Sequence, residues 1–183
     1  MSLPLLLVFI VCASAFLTAG VRRYAITKKI IDIPNSRSSH VLPTPRGGGV
    51  AIVFSYIGGL LFLLWLEKVE CSTAFALLGS GVGIAILGFL DDHGHIPARW
   101  RLLGHSLSAI WCLSWLGGFP SISLLGYLVN LEWVGFILAI LYLIWTLNLY
   151  NFMDGIDGIA SVECISVCLS VVVIYILSGY DSH

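Results

Sequence analysis

Charge is scarce in this sequence: only 10% of its 183 residues are Asp, Glu, Lys or Arg, against about a quarter in soluble domains. Nine basic and ten acidic residues leave a net charge of −1, which excludes the basic surface of a nucleic-acid-binding protein. The five cysteines are scattered rather than arranged as a disulfide framework, so a secreted disulfide module is excluded as well. Hydrophobic residues make up 58% of the chain. Such a chain needs a bilayer as its solvent, which excludes a soluble enzyme and a disordered linker.

Six apolar stretches approach the roughly twenty residues that a helix needs to cross a hydrocarbon core about 30 Å thick. The predicted fold class is therefore all-α: one membrane domain, residues 1–183, forming a polytopic bundle of about six transmembrane helices. The fourth stretch is the weakest, because it is short and ends at a turn, Gly117–Pro120. The predicted spans are Leu3–Gly20, Gly48–Leu66, Ala74–Leu90, Leu102–Phe119, Trp133–Tyr150 and Ile159–Leu177.

The distribution of basic residues predicts the orientation. No Lys or Arg precedes the first span, whereas four basic residues follow it closely. This order favours an uncleaved helix with its N-terminus outside over a cleaved signal peptide. With loops 21–47, 91–101 and 151–158 in the cytoplasm, eight of the nine basic residues lie inside and only Lys68 lies outside. That asymmetry is what the positive-inside rule describes.

Four carboxylates are then expected at the cytoplasmic face. Asp91 and Asp92 end the third span, and Asp154 and Asp157 lie between the fifth and sixth. Adjacent carboxylates repel unless a cation lies between them, and oxygen ligands of this kind suit Mg²⁺ that is held jointly with a phosphate. The alternative for Asp91 and Asp92 is a simple helix-end turn, although acids at a helix C-terminus oppose its dipole.

Other side chains that can bind metals are interpreted as structural. His93 and His95 are interpreted as solvated loop imidazoles, because this spacing alone is a weak metal signal. Cys164 and Cys168 share a helix face, but two thiolates in lipid would be costly and no His joins them. We therefore expect both cysteines to act in packing.

A polar residue recurs at every third position at the end of the fifth span. If the segment stays helical, Asn148, Asn151 and Asp154 form one stripe. Gly155 and Gly158 remove side chains beside the carboxylates, which lets backbone approach a ligand. A polar helix cap with a glycine turn is the alternative, and the strict spacing favours a ligand site.

The loop between the first two spans is rich in glycine, proline and arginine. Gly47, Gly48 and Gly49 open directly into the second span, and Arg37 and Arg46 precede them. Glycines at a helix start expose N–H groups to an anion, and guanidinium groups bind phosphate oxygens. The Lys-Ser/Thr ending of a Walker loop is absent. The alternative is that the glycines only ease helix packing.

Four segments carry a resemblance to a known family: Phe89–Asp92, Ala98–Leu102, Pro43–Gly49 and Asn148–Gly158. Together they resemble the polyprenyl-phosphate N-acetylhexosamine-1-phosphate transferases (glycosyltransferase family 4). That family includes the phospho-N-acetylmuramoyl-pentapeptide transferase of peptidoglycan synthesis and the enzymes that prime O-antigen, enterobacterial common antigen and teichoic acid. The resemblance extends from about Asp32 to Glu163. Within it, the sequence of Asn35–His40 is more similar to the polysaccharide-priming branch than to the pentapeptide branch.

The resemblance implies a multi-pass enzyme of the bacterial inner membrane with a cytoplasmic active face. It would transfer a sugar 1-phosphate from a UDP-N-acetylhexosamine to undecaprenyl phosphate and release UMP, with Mg²⁺, or Mn²⁺ as the alternative ion. Direct attack and a covalent aspartyl intermediate both stay open. The implied catalytic residues are Asp91, Asp92 and Asp157, the implied substrate-binding residues are Arg46, Gly47, Gly48, Asn148, Asn151 and Asp154, and the implied metal ligands are Asp92, Asp154 and Asp157.

The chain departs from the family pattern in its length. Family members are roughly twice as long, so the chain looks like an N-terminal half. The alternative function is therefore an inactive truncated remnant, or a half-subunit that needs a complementary C-terminal half or a second copy. A CDP-alcohol phosphatidyltransferase is disfavoured, because its Asp-Gly-x-x-Ala-Arg opening is absent after Asp154-Gly155.

Overall fold

The computed structural model describes residues 3–29, 31–32, 44–45, 47–94, 96–153 and 158–178. Within these residues the chain forms six helices and two small antiparallel sheets. The helices are α1 Leu3–Lys28, α2 Gly48–Trp65, α3 Cys71–Gly94, α4 Ala98–Trp115, α5 Glu132–Met153 and α6 Ile159–Leu177. The strands are β1 Ile31–Asp32, β2 Thr44–Pro45, β3 Ile122–Leu124 and β4 Tyr127–Val129, with β1 paired to β2 and β3 paired to β4.

Five of the six described helices are long and apolar enough to cross a membrane, which confirms the predicted polytopic all-α bundle. This is one fewer than the six apolar spans predicted from the sequence. The exception is α4, whose first turn carries Arg99 and Arg101 and whose middle carries His105. Its composition alone therefore does not mark it as a span.

The packing of α4 nevertheless makes it cross the bundle. It lies antiparallel to α3 along its whole length, so its two ends reach the two levels that α3 reaches. Helix α4 therefore spans the bundle beside α3, although its own composition does not meet the length and hydropathy of a membrane span. From one end to the other, the contacts join Asp91 to Arg101, Leu87 to Gly104, Gly83 to Ser108, Gly79 to Trp111, and Phe75 to Trp115.

Glycines bring α3 and α4 close together. A Cβ atom at Gly83 would lie 2.9 Å from Ser108 Oγ, and one at Gly104 would lie 2.8 Å from Leu87 Cδ2. Gly79 packs directly against the indole of Trp111. Helices in lipid associate through such small residues, because lipid tails solvate large apolar side chains as well as protein does.

The other helices follow an up-and-down order. Gly59 of α2 packs against Ile10 of α1, and the Tyr56 hydroxyl of α2 donates a hydrogen bond to Leu77 O of α3 at 3.0 Å. Helix α5 packs against α4, and α6 makes only a few contacts, with α5. This order brings six helix termini to one end of the bundle, called here the motif end. Its termini are Lys28, Gly48, Gly94, Ala98, Met153 and Ile159.

The helices extend further into the predicted loops than the sequence analysis expected. In place of loops 21–47, 91–101 and 151–158, α1 continues to Lys28, α3 to Gly94 and α5 to Met153, and α4 begins at Ala98. Long basic side chains allow this, because their charged ends reach polar surroundings while the stems stay beside apolar surface. Helix α4 also ends earlier than predicted, at Trp115, where Gly117 and Gly118 adopt φ values of +80° and +95°.

Candidate active site

Asp91 closes the turn between α3 and α4 at the motif end. Its Oδ1 accepts a hydrogen bond from the Ile96 backbone N–H at 2.8 Å, and its Oδ2 lies 3.1 Å from Arg101 Nη1. The side chains are 29% exposed for Asp91 and 39% for Arg101. The carboxylate therefore fixes the start of α4 relative to the end of α3 while it remains accessible to a ligand.

The ion pair with Arg101 is a feature that the sequence analysis missed. Arg101 was recognised within the Ala98–Leu102 motif, but no residue was predicted to pair with Asp91. The available signal was an acid at a helix end followed by a basic residue in the first turn of the next helix. A carboxylate has about four lone-pair sites and this one uses two, so the rest can face a substrate. The catalytic role of Asp91 stays a prediction.

Several predicted site residues lie outside the part of the chain that the structure describes. Arg46, Asp154 and Asp157 are among them, and Asp92 is described only as backbone in the last turn of α3. Among the described side chains, no three His, Cys, Asp or Glu residues converge to hold a metal ion. The carboxylates Asp92, Asp154 and Asp157 would supply the hard oxygen ligands that Mg²⁺ takes. The metal site remains a prediction.

The glycine-rich start of α2 is confirmed as a helix N-terminus. Gly47 is the N-cap residue with φ of +94°, and no side chain caps the helix. Gly48 and Gly49 face open space. The first N–H groups of a helix have no partner within it, and together with the helix dipole they attract anions. Gly47 and Gly48 thus lie at an uncapped helix N-terminus, and their role in binding phosphate stays a prediction.

The start of α6 repeats this arrangement. Its N-cap residue is Gly158 with φ of +80°, again without a side-chain cap. The start of α4, after Pro97, also lacks a side-chain cap. Three uncapped N-termini therefore lie at the motif end, where each can donate backbone hydrogen bonds to an anion.

Asn148 and Asn151 lie in the last two turns of α5. The helix continues to Met153, which confirms that these two asparagines stay on a continuous helix, three residues apart and on one side of it. Both are exposed, and Asn148 Nδ2 donates a hydrogen bond to Ile144 O at 2.7 Å. Their predicted companion Asp154 lies outside the described residues.

The structure brings the described site residues to one end of the bundle. Asp91 contacts Arg101, which was not predicted as a site residue, and Gly47, Gly48 and the asparagines of α5 share the motif end with this pair. Helix α4 packs against both α3, which carries Asp91, and α5, which carries the asparagines. A substrate with several anionic and polar groups could contact more than one of these elements.

His105 is a second residue that the sequence analysis missed. It lies on α4, four residues after Arg101, and its Nδ1 is buried with no hydrogen-bond partner among the described residues. Buried polar atoms are rarely left unpaired, and an ionisable residue inside a membrane helix is a candidate functional residue. A lone His in an otherwise apolar segment was the available signal.

Comparison with known proteins places these observations in a family. The family model described as glycosyl transferase family 4 matches residues 74–183, which is more than half of the chain. A Bacillus subtilis protein named probable undecaprenyl-phosphate N-acetylglucosaminyl 1-phosphate transferase is 30% identical over 167 residues, covering 89% of this chain and 45% of its own length.

Two further relatives match at lower identity or coverage. The decaprenyl-phosphate N-acetylglucosaminephosphotransferase of Mycobacterium tuberculosis is 25% identical, covering 84% of this chain and 41% of its own length. The phospho-N-acetylmuramoyl-pentapeptide-transferase of Corynebacterium kroppenstedtii is 28% identical, covering 64% of this chain and 42% of its own. The chain thus spans less than half the length of each of these relatives. From the match of residues 74–183, we conclude that the chain belongs to glycosyl transferase family 4.

Proposed function

We propose that this chain forms part of an enzyme that transfers a sugar 1-phosphate from a UDP-N-acetylhexosamine to undecaprenyl phosphate. Family membership supports this reaction class, and two of the relatives are named as polyprenyl-phosphate N-acetylglucosamine phosphate transferases. The product is a lipid diphosphate sugar, the first membrane intermediate of a cell-envelope polysaccharide. The names of these relatives and the Asn35–His40 segment favour the polysaccharide-priming branch over peptidoglycan synthesis.

The reaction requires two phosphorylated substrates to meet at a membrane surface. An oxygen of the lipid phosphate attacks the phosphorus nearest the sugar, the bond from that phosphorus to the oxygen bridging it to the nucleotide phosphate breaks, and UMP leaves. Both reactants are anions, so catalysis depends largely on positioning them and on offsetting their charge. Cationic groups and backbone N–H donors must therefore surround the reacting phosphates.

The contact between Asp91 and Arg101 is the observation that carries this proposal. It holds a carboxylate and a guanidinium group together at an accessible helix end, 3.1 Å apart. A guanidinium has about five N–H donors, so Arg101 can bind Asp91 and a phosphate oxygen together. We assign to Asp91 the role of orienting the lipid phosphate or accepting its proton.

The uncapped start of α2 and the asparagines of α5 complete the protein part of this site. Backbone N–H groups at Gly47 and Gly48 would bind a phosphate, with Arg46 beside them. Asn148 and Asn151 would bind polar groups of the nucleotide sugar. Mg²⁺ held by Asp92, Asp154 and Asp157 would offset the phosphate charge when it is bound.

The motif end is proposed to face the cytoplasm. Basic residues lie in the last two turns of α1 and in the first turn of α4, all at this end. Lys68 lies in the turn between α2 and α3, at the opposite end. Short cytoplasmic loops carry an excess of Lys and Arg, and a nucleotide sugar made in the cytoplasm would reach this face directly.

An isotope exchange assay tests the proposal. Membranes containing the protein should exchange label between UMP and UDP-N-acetylglucosamine, and the exchange should require both undecaprenyl phosphate and Mg²⁺. Asp91→Asn should lower the exchange rate by roughly a hundredfold or more. Glu70→Gln, an acid at the opposite end of the bundle, is the matched control and should leave the rate unchanged.

A second variant separates a catalytic role of Asp91 from a purely structural one. Arg101→Gln breaks the same ion pair but leaves the carboxylate. If Asp91 acts on the substrate, Asp91→Asn should lose more activity than Arg101→Gln. Because Arg101 is itself assigned to a phosphate oxygen, equal losses would mean that Asp91 and Arg101 act as one pair, and undiminished exchange in Asp91→Asn would remove Asp91 from the mechanism.

A half-subunit that requires a partner is the second candidate function. It is favoured by α6, which has no buried residue among those described, and by the 45% coverage of the Bacillus subtilis relative. In that case the protein alone shows no exchange, and coexpression with the C-terminal half of that relative restores it. Absence of exchange in both preparations would favour an inactive remnant.

A further inference from the structure

The connection between α4 and α5 contains no charged residue. Residues 116–131 include no Asp, Glu, Lys, Arg or His, and they form the hairpin β3–β4 at the end of the bundle opposite the motif end. The turn between α2 and α3, at the same end, carries Glu67, Lys68 and Glu70. The two neighbouring connections therefore differ sharply in polarity.

The tip of the hairpin has an unusual residue for its backbone shape. Leu124 pairs with Tyr127, which leaves a two-residue loop, Leu125 and Gly126, with φ values of +52° and +86°. Such loops favour Asn, Asp or Gly at the first position, because a left-handed backbone strains other side chains. Leucine is therefore poorly suited to this position, and here it is 95% exposed.

The neighbouring side chains are apolar and exposed as well. Tyr127 is 77% exposed and Leu128 is 80% exposed. Leu128 pairs across the hairpin with Ser123, and Tyr127 lies one position along the strand, so apolar side chains project from both faces of the sheet. A hairpin in water would normally present polar residues on at least one face.

The length of the elements keeps the hairpin close to the hydrocarbon core. Helix α4 has 18 residues, about 27 Å, and therefore ends near the boundary of a core about 30 Å thick. Three-residue strands reach only about 10 Å beyond that level. Trp115 and Trp133, at the two helix ends that flank the connection, are 42% and 70% exposed, as is typical of aromatic residues at a membrane interface.

We propose that the hairpin β3–β4 is an interfacial anchor, which lies in the headgroup region of the bilayer with Leu125, Tyr127 and Leu128 against lipid. The uncharged connection, the leucine at a strained and exposed turn position, and the flanking tryptophans favour lipid as the occupant. The hairpin would fix the depth of α4 and α5 in the membrane, and thereby the level at which their opposite ends present the motif residues.

Site-directed fluorescence tests the proposal. With the five native cysteines replaced, Leu125→Cys carries an NBD fluorophore in the protein reconstituted into phosphatidylglycerol and phosphatidylethanolamine vesicles. Lys68→Cys, in the charged turn at the same end, is the matched control. Compared with the label at position 68, the label at position 125 should emit at shorter wavelength and be quenched more strongly by nitroxide lipids. Iodide, which stays in the water, should quench it roughly threefold less than the control. Equal iodide quenching at the two positions would overturn the proposal.

A second variant tests whether the apolar side chains hold the hairpin in place. Leu125→Asn combined with Leu128→Asn keeps a favourable turn sequence, Asn-Gly, but removes the two leucines. A label at Tyr127→Cys should then become as accessible to iodide as the control at position 68. Unchanged protection in the double variant would show that these side chains do not bind lipid.

Dilution in lipid separates a bilayer from a second copy of the chain as the covering surface. Protection of position 125 that is constant over a wide range of lipid-to-protein ratios supports the bilayer. Protection that disappears on dilution means that another copy covers the hairpin, and this would overturn the proposal.

Discussion

The helix pair α3–α4 and the helix α6 differ in packing although both lie in a membrane protein. Ala76 of α3 is fully buried, and Ala109 and Leu113 of α4 are 3% and 8% exposed. Helix α6 has no buried residue, although its residues are predominantly apolar. In a soluble protein the more apolar helix would be the more deeply buried one. In lipid this relation fails, because the bilayer itself solvates apolar side chains.

The residues that distinguish the two regions are glycines rather than large apolar residues. Gly79 and Gly83 of α3 pack against α4, and Gly104 of α4 packs against α3. Helix α6 contains no glycine. Small residues let helix backbones approach, which gains dispersion contacts that lipid cannot match. Glycine spacing is therefore a better guide to helix contacts here than hydropathy is.

The largest effect is expected when this close approach is blocked. Gly79→Val places a branched side chain where the Trp111 indole packs, whereas Gly88→Val, on the same helix, meets open space. Overpacking of this kind costs about 3 kcal/mol at the upper end of its usual range. The free energy of unfolding, measured by SDS titration in mixed micelles, should fall by that amount for Gly79→Val.

Gly88→Val is the control for helix propensity, because both substitutions put valine into the same helix. Its free energy of unfolding should change by less than about 0.5 kcal/mol. Equal losses at the two positions would mean that valine itself, and not contact with α4, destabilises α3. The distinction between packed and unpacked regions would then have no energetic basis.

A smaller effect is expected from truncating a buried leucine. Leu113→Ala removes a side chain that is 8% exposed, and Leu169→Ala removes one on α6 that is 59% exposed. Moving a leucine side chain from lipid into the protein changes its free energy little, so the loss of stability comes mainly from the cavity that Leu113→Ala leaves. At roughly 24 cal/mol per Å³ over about 80 Å³, this cavity lowers the free energy of unfolding by about 2 kcal/mol.

The same SDS titration checks this pair. Leu169→Ala should stay within about 0.5 kcal/mol of the parent protein, because it leaves no cavity. A loss near 2 kcal/mol for Leu169→Ala would show that α6 is packed in the mixed micelle, for example against another copy of the chain. That result would contradict the conclusion that α6, unlike the α3–α4 pair, is unpacked.

Hydropathy and helix length predicted the all-α class and six spans, and five of the six described helices are long and apolar enough to cross a membrane. The exception is α4, the weakest of the predicted spans, because Arg99, Arg101 and His105 lower its apolar character. Hydropathy and helix length also missed both hairpins, because two- and three-residue strands leave too short a pattern to detect. Pairing between distant residues, unlike periodicity, is not encoded in any local window.

The candidate site was predictable in its position along the chain and less so in its contacts. The motif around Asp91 predicted a carboxylate at a helix end, and the structure places it there. That Arg101 holds it could not be deduced, since the pair depends on α4 packing antiparallel beside α3. The start of α2 at Gly48 was predicted from its glycines, whereas the left-handed backbone of Gly47, which few other residues adopt, was not.

The smallest predicted effect sharpens the comparison at the level of one hydrogen bond. Trp111 Nε1 donates to Phe75 O across the α3–α4 contact at 2.9 Å. Trp111→Phe removes this bond, and hydrogen bonds between membrane helices contribute about 0.6 kcal/mol on average. Trp145→Phe is the control, because Trp145 on α5 is 71% exposed. The free energy of unfolding of the Trp145→Phe variant should not differ measurably from that of the parent protein.

The Trp111 substitution also shows whether Gly79 and Trp111 act through one contact. A phenyl ring is smaller than the indole that packs on Gly79, so Trp111→Phe should relieve part of the clash that Gly79→Val introduces. The double variant should then lose less stability than the sum of the two single losses, by about 1 kcal/mol, as expected for residues in contact. Strict additivity would place the cost of Gly79→Val elsewhere in α3, and the close approach of the two helices would no longer explain why this pair is packed while α6 is not.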